Sequence, residues 1–137
     1  MGYQKLAQIY RTLERPQVAP EAALEKILID FYERMAKDLL LNHFFQDQDL
    51  RSIAKIQKQF LMRAMGATPG YSGRPPATAH SDIPSILSGH FDRRLVILEQ
   101  TLREHGVAPE HVTAWIAFEE AFRSAIVVQE GVPNRAD

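Results

Sequence analysis

The chain has 137 residues, a length typical of one globular domain over residues 1–137. Lysine and arginine total 16 against 17 aspartates and glutamates, so the charge balance gives no reason to expect a nucleic acid or an anionic membrane as partner. The absence of cysteine excludes disulfides, thiolate metal sites and cysteine nucleophiles, and is compatible with a reducing compartment.

The chain lacks the signals of membrane insertion and export. No stretch approaches the roughly 20 apolar residues of a membrane span, and the N-terminus lacks a basic segment followed by a long apolar one. We therefore expect a soluble, unprocessed, cytoplasmic protein without a membrane span, and the sequence leaves its oligomeric state open.

The first two predicted helices are separated by prolines. We expect a core over residues 20–129, preceded by residues 1–19 as an N-terminal extension or a first helix. The helix is indicated because apolar side chains recur at helical spacing at Leu6, Ile9, Tyr10 and Leu13. Residues 20–41 predict the second helix, with Pro20 at its first position and Glu21 in its first turn. Its apolar face comprises Leu24, Ile27, Leu28, Phe31, Met35 and Leu39.

Residues 42–49 form a polar loop that contains two adjacent phenylalanines, Phe44 and Phe45, whose rings we expect to be buried elsewhere in the fold. The loop ends at Asp49, a residue type that caps helix N-termini. The next helix, residues 50–65, has the polar Gln57 within its apolar face. The apolar members of that face are Leu50, Ile53, Ile56, Phe60, Leu61 and Ala64.

The second half of the chain predicts two more helices. Residues 66–79 hold three glycines and three prolines, which suppress regular structure. A helix over 86–105 follows, with Gly106 at a left-handed C-terminal cap, and Pro109 opens the last helix, 109–129. No segment alternates with period two, so the fold class is all-α.

Three polar side chains stand where burial is expected: Tyr32, Gln57 and His80. A buried phenol or amide without a partner costs about 1 to 3 kcal/mol, so Tyr32 and Gln57 must meet each other, the backbone or a ligand. Without cysteine or a second histidine at zinc-like spacing, His80 is a candidate for the single axial ligand of a haem iron.

Several fragments together resemble the truncated (two-over-two) haemoglobins, most nearly group I. They are DFYERMAKD at 30–38, HFF at 43–45, IAKIQKQFL at 53–61, GYSG at 70–73, AH at 79–80, HFD at 90–92 and LREHGV at 102–107. The resemblance implies a globin-like two-over-two helical sandwich that binds haem b and takes oxygen or another diatomic gas at a pentacoordinate iron.

The resemblance also implies roles for individual residues. His80 matches the proximal histidine that coordinates the iron, and Tyr32 and Gln57 match the distal residues that donate hydrogen bonds to the gas ligand. Phe45 matches the phenylalanine that packs on the porphyrin, and Ile53 replaces the distal histidine of many globins. Further haem contacts are expected from Phe31, Phe60, Leu61 and Tyr71.

Arg94 departs from the pattern of this family, since it lies beside Phe91, Leu95 and Leu98 at a position that is usually apolar or tryptophan. Either it extends to the edge and pairs with a carboxylate or a haem propionate, or it disfavours haem. Glu119 and Glu120 are interpreted as a solvated face.

The sequence leaves two other functions open for the same fold. The protein could be an enzyme that converts oxygen and nitric oxide to nitrate or uses peroxide, which would need a reductase or another electron donor outside this short chain. It could also be a haem-free sensor or interaction module, for which Arg94 is a hint.

Overall fold

We analysed a computed structural model of the chain, which describes residues 2–67 and 85–127, with side chains from Leu6 onward. The described residues form helices and no strand. The helices are α1 (Gly2–Thr12), α2 (Pro20–Lys37), α3 (Leu50–Ala64), α4 (Ser88–Glu104), α5 (Pro109–Glu120) and α6 (Arg123–Ile126), with a 3-10 turn at Asn42–Phe44. None of these helices is long and apolar enough to cross a membrane.

Helix α2 begins where the sequence predicts and ends four residues early. Pro20 occupies its first turn after an extended Ala19. The helix ends because Asp38 turns to extended backbone and its carboxylate accepts from the Leu40 amide at 3.1 Å and from Arg93 Nε at 2.9 Å. The predicted place of Leu39 on the apolar face is therefore wrong, since Leu39 is 93% exposed.

Helix α3 carries one predicted cap and one unexpected buried cation. The carboxylate of Asp49 accepts from the amides of Arg51 and Ser52, which confirms the cap. Lys58 is buried, and its Nζ lies 2.9 Å from Glu21 and 2.7 Å from Glu25 of α2.

One residue assigned to the apolar face of α3 is exposed in the structure. Ile56 is 51% exposed, whereas Leu61 on the same helix is fully buried. Ile56 lies on the side of α3 that turns away from the core, so its assignment to the apolar face was wrong.

The turn between α4 and α5 confirms the predicted glycine cap. Gly106 has φ of +79°. This left-handed conformation commonly ends helices, and glycine adopts it without the steric strain that a Cβ atom would cause. Helix α5 then begins at Pro109. It ends at Glu120 and not near residue 129, and the short helix α6 follows.

The core lies where helices α1 to α5 pack against one another. Helix α2 packs on α3 and α4, α4 packs on α5, and α1 packs on α5, α2 and α3. Leu6 and Ile9 are fully buried, so the predicted first helix forms part of this core. Trp115 of α5 is also fully buried, and its Nε1 has no hydrogen-bond partner within the described part of the chain.

Candidate functional site

Tyr32 is buried in the second half of α2, among aromatic rings. It is 7% exposed, and Phe31 beside it is 1% exposed. The Tyr32 ring lies 5.2 Å from the Phe31 ring and 5.9 Å from the Phe45 ring, centroid to centroid. The structure thus brings together three of the predicted site residues, two from α2 and one that follows the 3-10 turn.

Helix α3 contributes a second group of predicted residues. Ile53, Gln57, Phe60 and Leu61 are spaced four, three and one residues apart, which places them on one side of the helix. Leu61 is fully buried, and the other three are half-buried. Gln57 is the polar member of this face, so it is the amide donor that α3 can offer to a ligand.

Phe60 also belongs to an aromatic cluster that the sequence did not indicate. Its ring lies 6.1 Å from that of Phe118 and 5.6 Å from that of Phe122, and the last two rings are 5.2 Å apart. These edge and tilted contacts are favourable for aromatic pairs. The cluster fixes the end of α3 against the end of α5.

Arg94 forms a largely buried ion pair with Glu119. Its Nη1 donates to Oε1 of Glu119 at 2.5 Å, and the two side chains are 21% and 7% exposed. The structure thereby selects one of the alternatives for Arg94, pairing with a carboxylate.

The interpretation of Glu119 as part of a solvated face was wrong. Glu119 follows Val112 by seven residues and Trp115 by four, so helical periodicity places it on the buried side with them. That spacing was the available signal. Glu120, in contrast, is exposed as expected.

Two predicted residues, Tyr71 and His80, lie outside the described residues. Within 2–67 and 85–127, no three histidine, cysteine, aspartate or glutamate side chains converge to hold a metal ion.

The four histidines in the described segments differ in their contacts. His90 Nδ1 accepts from the Leu87 amide at 3.0 Å, which caps the start of α4. His105 Nε2 lies 2.8 Å from Asp30, and His111 Nδ1 lies 3.3 Å from the Thr12 hydroxyl. The exposed His43 ring lies 4.0 Å from the Phe44 ring.

Comparison with known proteins identifies the family. The model of the bacterial-like globin family matches residues 17–127. The group 1 truncated haemoglobin GlbN of Synechocystis is 39% identical over 98 residues, which cover 69% of this chain and 78% of the relative. The chain belongs to the group 1 truncated haemoglobins. This globin therefore comes from a family of haem proteins.

Solved structures agree with the assignment. The truncated haemoglobin of Tetrahymena pyriformis superposes with a TM-score of 0.75 at 26% identity, covering 88% of this chain and 98% of that one. The 2/2 haemoglobin of Synechococcus, solved with covalently attached haem, gives 0.71 at 25% identity over 78% and 91% of the two chains. The two-over-two globin fold predicted from the sequence is confirmed.

The chemistry of the described residues fits a haem. Phe45, Ile53 and Phe60 supply apolar and aromatic surface, and Tyr32 and Gln57 supply an O–H and an N–H donor. The charge of Arg94 is balanced by Glu119, so this position adds no net charge that would oppose an apolar cofactor.

Proposed function

We propose that this globin binds haem b through His80 and reversibly binds oxygen or another diatomic gas beside Tyr32 and Gln57. The observation that carries the proposal is that two hydrogen-bond donors lie among apolar and aromatic side chains. Tyr32 of α2 lies beside Phe31 and Phe45, and Gln57 shares one face of α3 with Ile53 and Phe60. When bound, a ferrous haem supplies a metal centre that takes a gas ligand at an open coordination position.

Support for the distal pair comes from the solved Tetrahymena pyriformis globin. Its variants include one with a tyrosine replaced by phenylalanine and one with a glutamine replaced by glutamate, at positions 25 residues apart. Tyr32 and Gln57 have the same separation. In this chain both donors would stabilise a gas ligand that carries partial negative charge, because each can present a polar hydrogen to it.

Support for His80 as the axial ligand comes from the family pattern. Among the other histidines, one ring nitrogen each of His90, His105 and His111 faces the Leu87 amide, Asp30 and Thr12, respectively. His43 is exposed. A neutral imidazole with an available ring nitrogen is the ligand that iron needs, and His80 is the histidine that the family pattern places there.

The surrounding side chains would protect the ferrous state. Phe31 and Leu61 are 1% and 0% exposed, and Phe45, Ile53 and Phe60 pack against the same core. Such a lining excludes water, which slows oxidation of the iron and strengthens the hydrogen bonds that Tyr32 and Gln57 donate.

The test is a visible absorption spectrum of the protein with one equivalent of hemin, before and after dithionite and then carbon monoxide. We expect a sharp Soret band that shifts on reduction and again with carbon monoxide. The same hemin in buffer without protein serves as the reference for free hemin. A spectrum that remains that of free hemin would refute the proposal.

A further inference from the structure

The largely buried ion pair between Arg94 and Glu119 lies next to Phe31, the neighbour of Tyr32 in the candidate site. Removing two charges from water is unfavourable, and a buried ion pair is often no more stabilising than apolar side chains of similar volume. A gain in stability therefore does not explain why this ion pair is present. A role toward neighbouring groups is the alternative.

The guanidinium of Arg94 reaches the aromatic residues of α2. Its Cζ lies 5.1 Å from the centroid of the Phe31 ring, and that ring lies 5.2 Å from the Tyr32 ring. Burial lowers the pKa of Arg94, but the charge of Glu119, and then Tyr32, raise it, so the net shift is above the ordinary value. Arg94 thus stays charged, donates a hydrogen bond to Glu119, and has a favourable electrostatic interaction with the Tyr32 side chain.

The chemistry of the two groups determines how Arg94 can act on the Tyr32 hydroxyl. An arginine has only donors, so in a hydrogen bond between the two side chains the phenolic oxygen is the acceptor. A phenol that accepts from a cation keeps its own hydrogen as a donor, and the chain of hydrogen bonds polarises that hydrogen. Glu119 holds the guanidinium from the other side, which fixes its position between α4 and α5.

We propose that Arg94, held by Glu119, is a positioning residue that orients the Tyr32 hydroxyl as a hydrogen-bond donor to the gas ligand. The inference rests on the proposed function, and it adds a second layer of residues behind the proposed distal donor Tyr32. Arg94 acts through Tyr32 and does not itself contact the ligand.

The test compares the effect of Tyr32→Phe in two backgrounds. One is the parent, and the other is Arg94→Leu/Glu119→Leu, which removes both charges together and so avoids a lone buried charge. The readouts are the infrared stretch of bound carbon monoxide, which responds to donors near the ligand, and the oxygen dissociation rate. Far-UV circular dichroism checks that each variant keeps its helices.

We expect Tyr32→Phe to shift the carbon monoxide stretch and to speed oxygen dissociation about tenfold in the parent. In the double-leucine background the shift should be smaller and the rate change less than about twofold. Arg93→Leu is the matched control, because Arg93 is the adjacent arginine of α4 and pairs with Asp38. In that background Tyr32→Phe should act as in the parent.

A haem-free measurement tests the contact itself. In the apoprotein, Tyr32→Phe should lower the denaturant midpoint more in the parent than in the double-leucine background. Equal effects of Tyr32→Phe in both backgrounds, on the stretch or on the midpoint, would overturn the inference and leave the proposed function standing. A parent that yields no carbon monoxide band would overturn both.

Discussion

The imidazole of His105 binds the carboxylate of Asp30, with Nε2 lying 2.8 Å from Oδ2. The contact joins the end of α4 to the middle of α2, and Arg34 donates to the same carboxylate at 3.0 Å and 3.1 Å. Burial raises the pKa of the Asp30 carboxyl, but the hydrogen bonds from Arg34 and His105 outweigh it and leave that pKa below its ordinary value.

This contact predicts an acid-sensitive contribution to stability. A carboxyl with a lowered folded-state pKa stabilises the protein fully above its unfolded pKa of about 3.9, and the contribution is lost as the pH falls through the lower folded-state value. Asp30→Asn should lower the free energy of unfolding at pH 7 by about 1 kcal/mol or less, because the pair is partly exposed. It should also flatten the acid side of the stability profile.

Denaturant unfolding between pH 7 and pH 2 measures this effect, because the lowered pKa of Asp30 places the loss below the unfolded value of about 3.9. Asp47→Asn is the matched control, since Asp47 is exposed and its φ of +61° suits asparagine equally well. A pH profile of Asp30→Asn that parallels the parent would show that the contact with His105 and Arg34 carries no net free energy.

The turn at Gly106 predicts a large difference between two glycine substitutions. Gly106→Ala forces a φ of +79° on an L-residue and should destabilise the protein by about 1 to 2 kcal/mol. Gly89→Ala in the first turn of α4 meets nothing within 4 Å and should be neutral or stabilising, because alanine favours helix. Thermal unfolding distinguishes them, and equal midpoints would contradict the structural assignment.

The proposed axial ligand predicts loss of cofactor. His80→Ala should abolish stable haem retention, because no other histidine is assigned to the iron. Gel filtration of hemin-loaded protein, followed by the ratio of Soret to protein absorbance, measures it. His111→Ala should keep the parent ratio, since His111 lies near Thr12. Retention by His80→Ala equal to that of the parent would remove the assignment.

The proposed distal donor predicts faster ligand release. Tyr32→Phe removes a hydroxyl but keeps the ring that packs on Phe31 and Phe45, so oxygen dissociation should accelerate about tenfold. Stopped-flow displacement of oxygen by carbon monoxide measures the rate. Tyr10→Phe, which alters a half-buried tyrosine of α1, should leave it unchanged. An unaltered rate in Tyr32→Phe would exclude that hydroxyl as the donor.

Local chemistry made the helix starts predictable. Pro20, Asp49 and Pro109 act within one turn of their own position, and the φ of Gly106 depends only on its own backbone. The end of α2 is different, because the Asp38 carboxylate binds Arg93 from α4, more than 50 residues away. Such a contact leaves no periodic signal in the sequence.

The candidate site was predictable to a similar extent. Tyr32 and Phe45 were expected in one pocket, and their rings meet in the structure. The pairing of Arg94 with Glu119 was not, because it joins two helices and neither residue specifies its partner. Lys58 was missed for the same reason, since Glu21 and Glu25 come from the preceding helix.

The buried indole of Trp115 gives the protein an intrinsic optical probe. It is the sole tryptophan of the chain, and its Nε1 meets no hydrogen-bond partner among the residues the structure describes. An indole in such apolar surroundings emits at short wavelength, and exposure to water shifts the emission to the red. A haem bound in the same small domain would quench this light, so fluorescence alone can follow both unfolding and cofactor uptake.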